Sequence, residues 1–322
     1  MRVALLGFGN VGRALARLLI ETRDRHPFVV TAITTSHGSI RSDGGVDLEQ
    51  ALARGSLGSG GPLPVGMLEA EVVVDMTPLD ARTGGPGLAY IRDALRSGKH
   101  VVTSNKGPIA VAYRELTALA KDHGVLLRYE ATVADCLPLF DLARAALPLA
   151  RIRSIRGVLN STTNHLLSAA ARGVAFADAL AEAQRLGIAE ADPRNDLEGW
   201  DAAAKAAIVA AALMDADLAP VDVVRTPIGE NAAAMARQAV LLGERVRPIV
   251  ELVRDGDRVH ATFGPIRLGP MDPLYAADGF SMGAVLDTDL AGRVAVQLHE
   301  PHVAQTAYAV LTDLLDVAAV GP

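Results

Sequence analysis

A short apolar run, Arg2-Val-Ala-Leu-Leu6, leads straight into Gly7-Phe-Gly9-Asn-Val-Gly12. A stretch with helical apolar spacing at Ala14, Leu15, Leu18 and Leu19 follows. A strand that ends in three glycines spaced this way and continues as a helix has few ways to fold. The first glycine permits the tight turn, the second lets a backbone approach a pyrophosphate, and the third lets the helix lie against the strand. Gly7, Phe8, Gly9, Asn10, Val11 and Gly12 are therefore read as a dinucleotide phosphate cradle. A plain strand-to-helix turn is the weaker reading, because the glycines stand in the context that a cradle requires.

The alternation continues. Val29 to Ile33, Val72 to Asp75, His100 to Thr103 and Val125 to Tyr129 read as strands separated by helical stretches. This predicts an α/β class with a parallel sheet, whose ligands lie beyond the carboxyl ends of its strands. Two such ends carry Met76-Thr77-Pro78 and Ser104-Asn105-Lys106-Gly107-Pro108, so Thr77, Asn105 and Lys106 are expected at the cofactor. The second strand ends in Thr34-Thr35-Ser36-His37-Gly38 with Arg41 nearby. No carboxylate there awaits a ribose 2′-hydroxyl, and His37 or Arg41 facing a 2′-phosphate makes NADP the favoured cofactor over NAD. Gly55 to Gly61 is glycine- and serine-rich and is expected to be mobile.

The texture changes after about residue 133. A first domain over 1–133, completed by 302–322, and a second over 134–301 are expected. Ile152 to Leu159 reads as a strand of a second sheet, as do Pro248 to Val253, Arg258 to Phe263 and Val294 to Leu298. Thr306 to Val317 reads as a closing helix. Between them, Asn160-Ser-Thr162-Thr163-Asn164 suits a helix cap, a polar ligand, or both.

From Gly187 to Lys205, five carboxylates (Glu190, Asp192, Asp196, Glu198 and Asp201) crowd an apparent loop around the single tryptophan, Trp200. So much like charge is poorly suited to a core and well suited to a cationic or many-hydroxylated ligand. Asp201 is expected as the N-cap of the alanine-rich helix that follows, with Lys205 on the same face. Only four of the 31 cationic residues are lysine (Lys99, Lys106, Lys121 and Lys205). Arginine holds its proton, whereas a desolvated lysine can give one up, so each lysine deserves inspection. Asp201 and Lys205 read equally well as an exposed ion pair or as the seat of a general acid.

The net charge of −6 argues against nucleic-acid or anionic-membrane partners. No stretch approaches the roughly 20 apolar residues of a membrane span. The single cysteine, Cys136, excludes an intrachain disulfide framework; it reads as a small buried thiol, and the chain as cytoplasmic.

In order along the chain, Gly7 to Gly12, Asn105-Lys106, Glu130-Ala-Thr-Val133, Gly157-Val-Leu-Asn-Ser-Thr-Thr-Asn164, and Glu190-Ala-Asp-Pro193 continuing through Asp196, Gly199 and Asp201 to Lys205 resemble homoserine dehydrogenase in its short form. The resemblance implies a Rossmann domain completed by the last helix, and an α/β domain carrying the substrate site and a homodimer contact. It implies NAD(P)-linked interconversion of L-homoserine and L-aspartate 4-semialdehyde on the route to threonine and methionine. Lys205 becomes the proton donor to the aldehyde oxygen, Lys106 lies between nicotinamide and substrate, and Glu190, Asp196, Asp201, Thr162 and Gly187 belong to the substrate site. A sodium site maps onto Glu130, Val133, Asp135 and Leu137. The chain departs from the family pattern at Ala134-Asp135-Cys136, where a glycine-rich turn is usual. It departs again at Leu298 to Ala307, which lacks the glycine-rich segment, and at His165, where tyrosine is usual. Neither a regulatory tail nor an aspartate kinase fusion is expected, and hence no threonine feedback through such a domain.

Overall fold

The computed structural model describes residues 1–54, 56–58, 61–80, 82–186, 189, 191–299 and 303–320. The chain divides into two compact units, Met1–Cys136 with Val303–Pro322, and Leu137–His302.

In the first unit, β1 (Arg2–Leu6), β2 (Val29–Thr34), β3 (Ser39–Arg41), β4 (Val72–Asp75), β5 (His100–Thr103) and β6 (Leu127–Arg128) form one sheet in the order β3-β2-β1-β4-β5-β6. All neighbours are parallel except β3, which turns back antiparallel on β2. The chain reverses direction across the sheet between β1 and β4, which is where such a sheet opens a crevice for a dinucleotide. The helices are α1 (Asn10–Glu21), α2 (Leu48–Ala53), α3 (Gly85–Arg96) and α4 (Lys106–Asp122), with α11 (Val303–Val320) returning to pack on α1. Val3, Leu5, Leu15, Leu19, Val310 and Leu314 are buried together, so the last helix is part of this core. The Arg128 guanidinium on Asp316 (2.5 Å) ties it to the end of β6.

Two expectations shift here. The strand foreseen over Val125 to Tyr129 shrinks to two residues, because Tyr129 leaves the extended region (φ −152°, ψ 25°) and starts a tight turn over Glu130–Thr132. β3, too short to show a period of its own, was not foreseen at all.

In the second unit, β7 (Ile152–Val158), β8 (Val224–Arg225), β9 (Arg245–Asp255), β10 (Arg258–Leu268), β11 (Met282–Thr288) and β12 (Arg293–Leu298) run in the order β12-β11-β7-β9-β10-β8. The ladders are antiparallel, save that β8 lies parallel to β10. The helices are α5 (Leu139–Ala146), α6 (Ser161–Ala171), α7 (Phe176–Arg185), α8 (Arg194–Leu197), α9 (Trp200–Met214) and α10 (Glu230–Leu241). α6, α9 and α10 pack on β9. β11 escaped the sequence reading because it is buried almost throughout and contains Gly283-Ala284, so it alternates poorly and scores low as a strand.

Within the acidic stretch, α8 forms inside what read as a loop. Asp201 is not the N-cap of α9. Gly199 holds that place in the left-handed region (φ +79°), and a Cβ there would lie 2.4 Å from the Phe263 ring. The helix therefore starts at Trp200, putting Asp201 in its first turn and Lys205 in its second. Trp200 itself is covered by the Arg225 guanidinium, 3.6 Å above its ring.

Candidate active site

The glycine cradle of the first unit is built as its spacing implies. Gly7 takes φ +95°, and a Cβ on it would lie 2.4 Å from the Met76 carbonyl oxygen; one on Gly12 would lie 2.7 Å from the Gly7 oxygen. A Cβ on Gly9 would meet nothing within 4 Å, so the backbone stays open on the side a pyrophosphate needs. Gly9 is also the N-cap of α1 and brings no capping side chain. The amides at the start of α1, from Asn10 and Val11 onward, thus offer the donors and positive dipole end that bind phosphate. Phe8 lies beneath the Arg13 guanidinium, 5.5 Å from ring centre to carbon.

A cavity of about 560 Å³ opens beside these residues. Gly7, Phe8, Gly9 and Thr77 line it, as do Thr35, Ser36 and His37 after β2. Arg41, which the sequence offered as an alternative to His37, sits on β3 opposite Ala32 and is not in the lining. Arg54, the C-cap residue of α2, is, and the sequence reading missed it. No periodicity or motif marks Arg54; only the fold of α2 brings it there. No carboxylate lines this cavity among the described residues.

Thr77, Asn105 and Lys106 stand at neighbouring strand ends. Asn105 caps α4: its Oδ1 accepts from the Gly107 amide (3.1 Å), which turns its Nδ2 to donate to Thr77 Oγ1 (3.1 Å). Thr77 Oγ1 in turn donates to Asp75 Oδ1 (2.6 Å). Lys106, half-buried, opens α4. Asp75 was read only as the last residue of a strand. It is fully buried, and that burial pushes its pKa up while hydrogen bonds from Thr77, Thr103 and Asn105 pull it back.

In the second unit, α9 and the start of α6 bring together residues far apart in sequence. Lys205 Nζ, 8% exposed, donates to the Leu159 carbonyl (2.5 Å) and lies 2.8 Å from Asp201 Oδ2. Asn160 Nδ2 donates to Asp201 Oδ2 (2.9 Å) and to Asp196 Oδ1 (2.8 Å), while its Oδ1 caps α6 by accepting from Thr163 N (2.9 Å). Thr162 is buried in the same first turn of α6. Sequence reasoning saw Asn160 as a cap; that it also bridges two carboxylates could not be seen from spacing. Asp192 is turned away into an exposed pair with Arg194, which lowers its pKa to about 2. Glu190 and Gly187 lie outside the described residues.

Of the residues mapped to a sodium site, Glu130, Val133 and Asp135 lie at the end of the first unit's main segment and Leu137 opens the second unit. Glu130 and Val133 are buried, and so is Leu137. Ala134 and Asp135 both adopt left-handed backbone (φ +59° and +55°), a region that glycine reaches at no cost and other residues at roughly 1 kcal/mol each. Asp135 Oδ1 accepts from Thr306 Oγ1 (2.7 Å). Oxygen donors of this hard kind suit a small cation, so the residues fit one in chemistry. No cluster of three or more His, Cys, Asp or Glu arranged for a metal is present among the described residues. Cys136 packs against the first core, and burial raises its pKa. His165, the other departure, stacks on Phe280 with centroids 4.1 Å apart. No helix among the described residues is long and apolar enough to cross a membrane.

An open parallel sheet with a glycine cradle, and a cluster in which Asn160 joins Asp196 to the Asp201–Lys205 ion pair, fit an NAD(P)-dependent oxidoreductase acting on a small polar molecule. Residues 7–130 match the NAD-binding domain of homoserine dehydrogenase, and residues 138–315 match homoserine dehydrogenase proper. The chain belongs to the homoserine dehydrogenase family. It is 34% identical to the homoserine dehydrogenase of Methanocaldococcus jannaschii, over 98% of each chain. It is 33% identical to an NAD(+)-dependent homoserine dehydrogenase of Pseudomonas canavaninivorans, over 98% of this chain and 96% of that one. A hyperthermophilic archaeal homoserine dehydrogenase solved in complex with NADPH superposes with a TM-score of 0.82 at 27% identity, over 100% of this chain and 98% of that one.

Proposed function

We propose that this chain interconverts L-homoserine and L-aspartate 4-semialdehyde with NAD(P), on the route to threonine and methionine, with Lys205 giving the proton to the aldehyde oxygen. The observation that carries the reading is the buried Lys205 ammonium, held by Leu159 O and Asp201. Among the described residues those two partners take two of its three N–H donors, and the third would serve a substrate oxygen. An ammonium fixed in place by two acceptors is positioned to act as general acid toward a third, the substrate oxygen. The helix dipole adds little, since Lys205 is in the second turn and the effect fades within the first.

Asp196 and Asp201, with Glu190, receive the substrate's ammonium and hydroxyl groups, and Thr162 and Gly187 complete the pocket. When bound, the nicotinamide exchanges a hydride with the aldehyde carbon. Gly7 to Gly12 would hold the pyrophosphate, Thr77 and Asn105 would bind on the cofactor's nicotinamide side, and Lys106 would stand between nicotinamide and substrate. Glu130, Val133, Asp135 and Leu137 would hold a sodium ion, chiefly by main-chain carbonyls, and its positive charge would steady that segment. The working form is a cytoplasmic homodimer, as the family resemblance and the single cysteine suggest.

NADP is the favoured cofactor. The cavity wall after β2 offers Ser36, His37 and Arg54 and no carboxylate among the described residues, which suits a 2′-phosphate better than a bare hydroxyl. Arg54→Ala is expected to raise KM for NADP by about tenfold, the scale of one exposed charged hydrogen bond, and to leave KM for NAD within about twofold. Equal effects on both cofactors would remove Arg54 from the 2′-phosphate site. The reading as a whole is tested by homoserine oxidation with NAD and NADP in parallel, with and without sodium. Absence of homoserine-dependent reduction of either cofactor would overturn it.

A further inference from the structure

Asp75 is 0% exposed, and its hydrogen-bond directions can be followed from main-chain donors whose roles are not in doubt. The Gly107 amide fixes Asn105 Oδ1 as acceptor, so Asn105 Nδ2 donates to Thr77 Oγ1 and the Thr77 hydroxyl proton points at Asp75 Oδ1 (2.6 Å). The Thr77 amide also donates to Oδ1 (3.1 Å), and Thr103 Oγ1 approaches Oδ2 at 3.2 Å. Both groups on Oδ1 are therefore donors, as an ionised acceptor would use, while the single Thr103 hydroxyl proton is shared between Oδ2 and the Asp75 main-chain oxygen, each 3.2 Å away. Burial and hydrogen bonds are what act on it, and no cation pairs with it among the described residues. An uncompensated buried carboxylate costs folding free energy, and such costs persist where they serve a site.

Its place in the sheet says what it serves. Asp75 ends β4, beyond the reversal between β1 and β4, whereas His37 and Arg54 lie on the β2 side of the same cavity. With the 2′-phosphate side assigned to His37 and Arg54, the nicotinamide half of the cofactor falls on the side of β4 and β5. The nicotinamide ring is cationic when oxidised and neutral when reduced.

We propose that Asp75 is a positioning and electrostatic residue: it orients Thr77 and Asn105 toward the nicotinamide half of the cofactor, and its buried charge favours the oxidised form over the reduced one. The proposal rests on the cofactor orientation given above. Gly87 of α3 supports it, because a Cβ there would lie 2.9 Å from Asp75 Oδ2, 2.7 Å from Asn105 Nδ2 and 2.9 Å from Thr77 Oγ1. The helix leaves room for this network and nothing more.

Asp75→Asn removes the charge and keeps the shape. The amide oxygen accepts both Thr77 donors, and Thr103 Oγ1 can donate instead to the Asp75 main-chain oxygen, 3.2 Å away. The test is equilibrium titration of wild type and variant with the oxidised cofactor, the reduced cofactor and ADP-ribose, which lacks nicotinamide, together with the melting temperature. On the scale of two unit charges about 10 Å apart at an effective dielectric near 20, the ratio of oxidised to reduced Kd is expected to rise roughly tenfold. ADP-ribose affinity should stay within about twofold, and the melting temperature should not fall, because a desolvated charge has been removed. An unchanged ratio, or a parallel loss of all three ligands, would overturn the proposal. Gly87→Ala supplies a second arm: it displaces Thr77 and Asn105 but keeps the charge, so both cofactor forms should weaken together at constant ratio. A ratio that shifts in Gly87→Ala as it does in Asp75→Asn would remove the charge from the account. If the wild type bound neither cofactor, the cradle reading itself would fail, and this proposal with it.

Discussion

Lys205→Ala is expected to lower kcat by at least ~100-fold, the usual scale of general acid catalysis, while cofactor binding stays near normal. Nζ reaches Leu159 O and Asp201 while the residue is 8% exposed, so nothing from solvent readily replaces it. The dinucleotide cradle belongs to the other unit, which is why binding and turnover should separate. Truncation also takes the Lys205 cation from Asp201, which keeps the Asn160 amide, a loss of up to about 3–5 kcal/mol, the scale for removing one partner of a buried pair. Stability must therefore be read alongside rate. Lys205→Met, which keeps the volume, should show the same loss of kcat with the side-chain packing retained. Either variant turning over at the wild-type rate would take Lys205 out of proton transfer.

Asn160→Asp is expected to be nearly as damaging, for a different reason. Aspartate keeps the cap on Thr163 N, so α6 should start as before. What changes is the bridge: an amide that donates to Asp196 and Asp201 becomes a third carboxylate facing both. Like charges at hydrogen-bond distance raise the pKa of the group. Above that raised pKa the repulsion is fully present, and it is relieved as pH falls through it towards the ordinary aspartate value near 4. kcat/KM for homoserine should thus fall by about 100-fold or more near neutrality, and the variant should regain thermal stability on acidification relative to wild type. A flat difference in melting temperature between pH 8 and pH 5 would show that the amide bridge does not govern the site. Asn160→Ala, by contrast, loses the cap as well and should cost roughly 1 kcal/mol on that account at any pH.

How far this could be read beforehand depended on whether each feature is local. Gly7, Gly9 and Gly12 were legible because a turn, an open backbone and a close helix contact are all requirements on a few neighbouring residues. The loops carrying Thr77 and Asn105 were legible too, since a parallel sheet puts its ligands at strand ends whatever its details. Asp201 was assigned the wrong place in α9. The deciding contact, Phe263 filling the space beside Gly199, comes from β10 and leaves no trace near residue 199 in the sequence. Arg54 was missed because an arginine at the end of a short helix looks like any surface arginine. Asn160 was half understood: its capping role is local, whereas its hold on Asp196 and Asp201 spans a helix and a loop.

The sequence by itself therefore determined the α/β class, the dinucleotide cradle and the strand-end loops, because local spacing expresses those requirements; it left Asp201 and Lys205 open between an ion pair and a general acid, and only the family resemblance singled them out. Only the tertiary structure decided that Lys205 is buried against Leu159 O rather than exposed beside Asp201, and that Asn160 joins two of the acids. It alone revealed that a lone buried carboxylate, Asp75, stands behind Thr77. The physical reason is the same in each case. Burial and hydrogen-bond partners across long stretches of chain are set by how the elements pack, and they turn an ordinary ion pair, helix cap or strand end into part of a site.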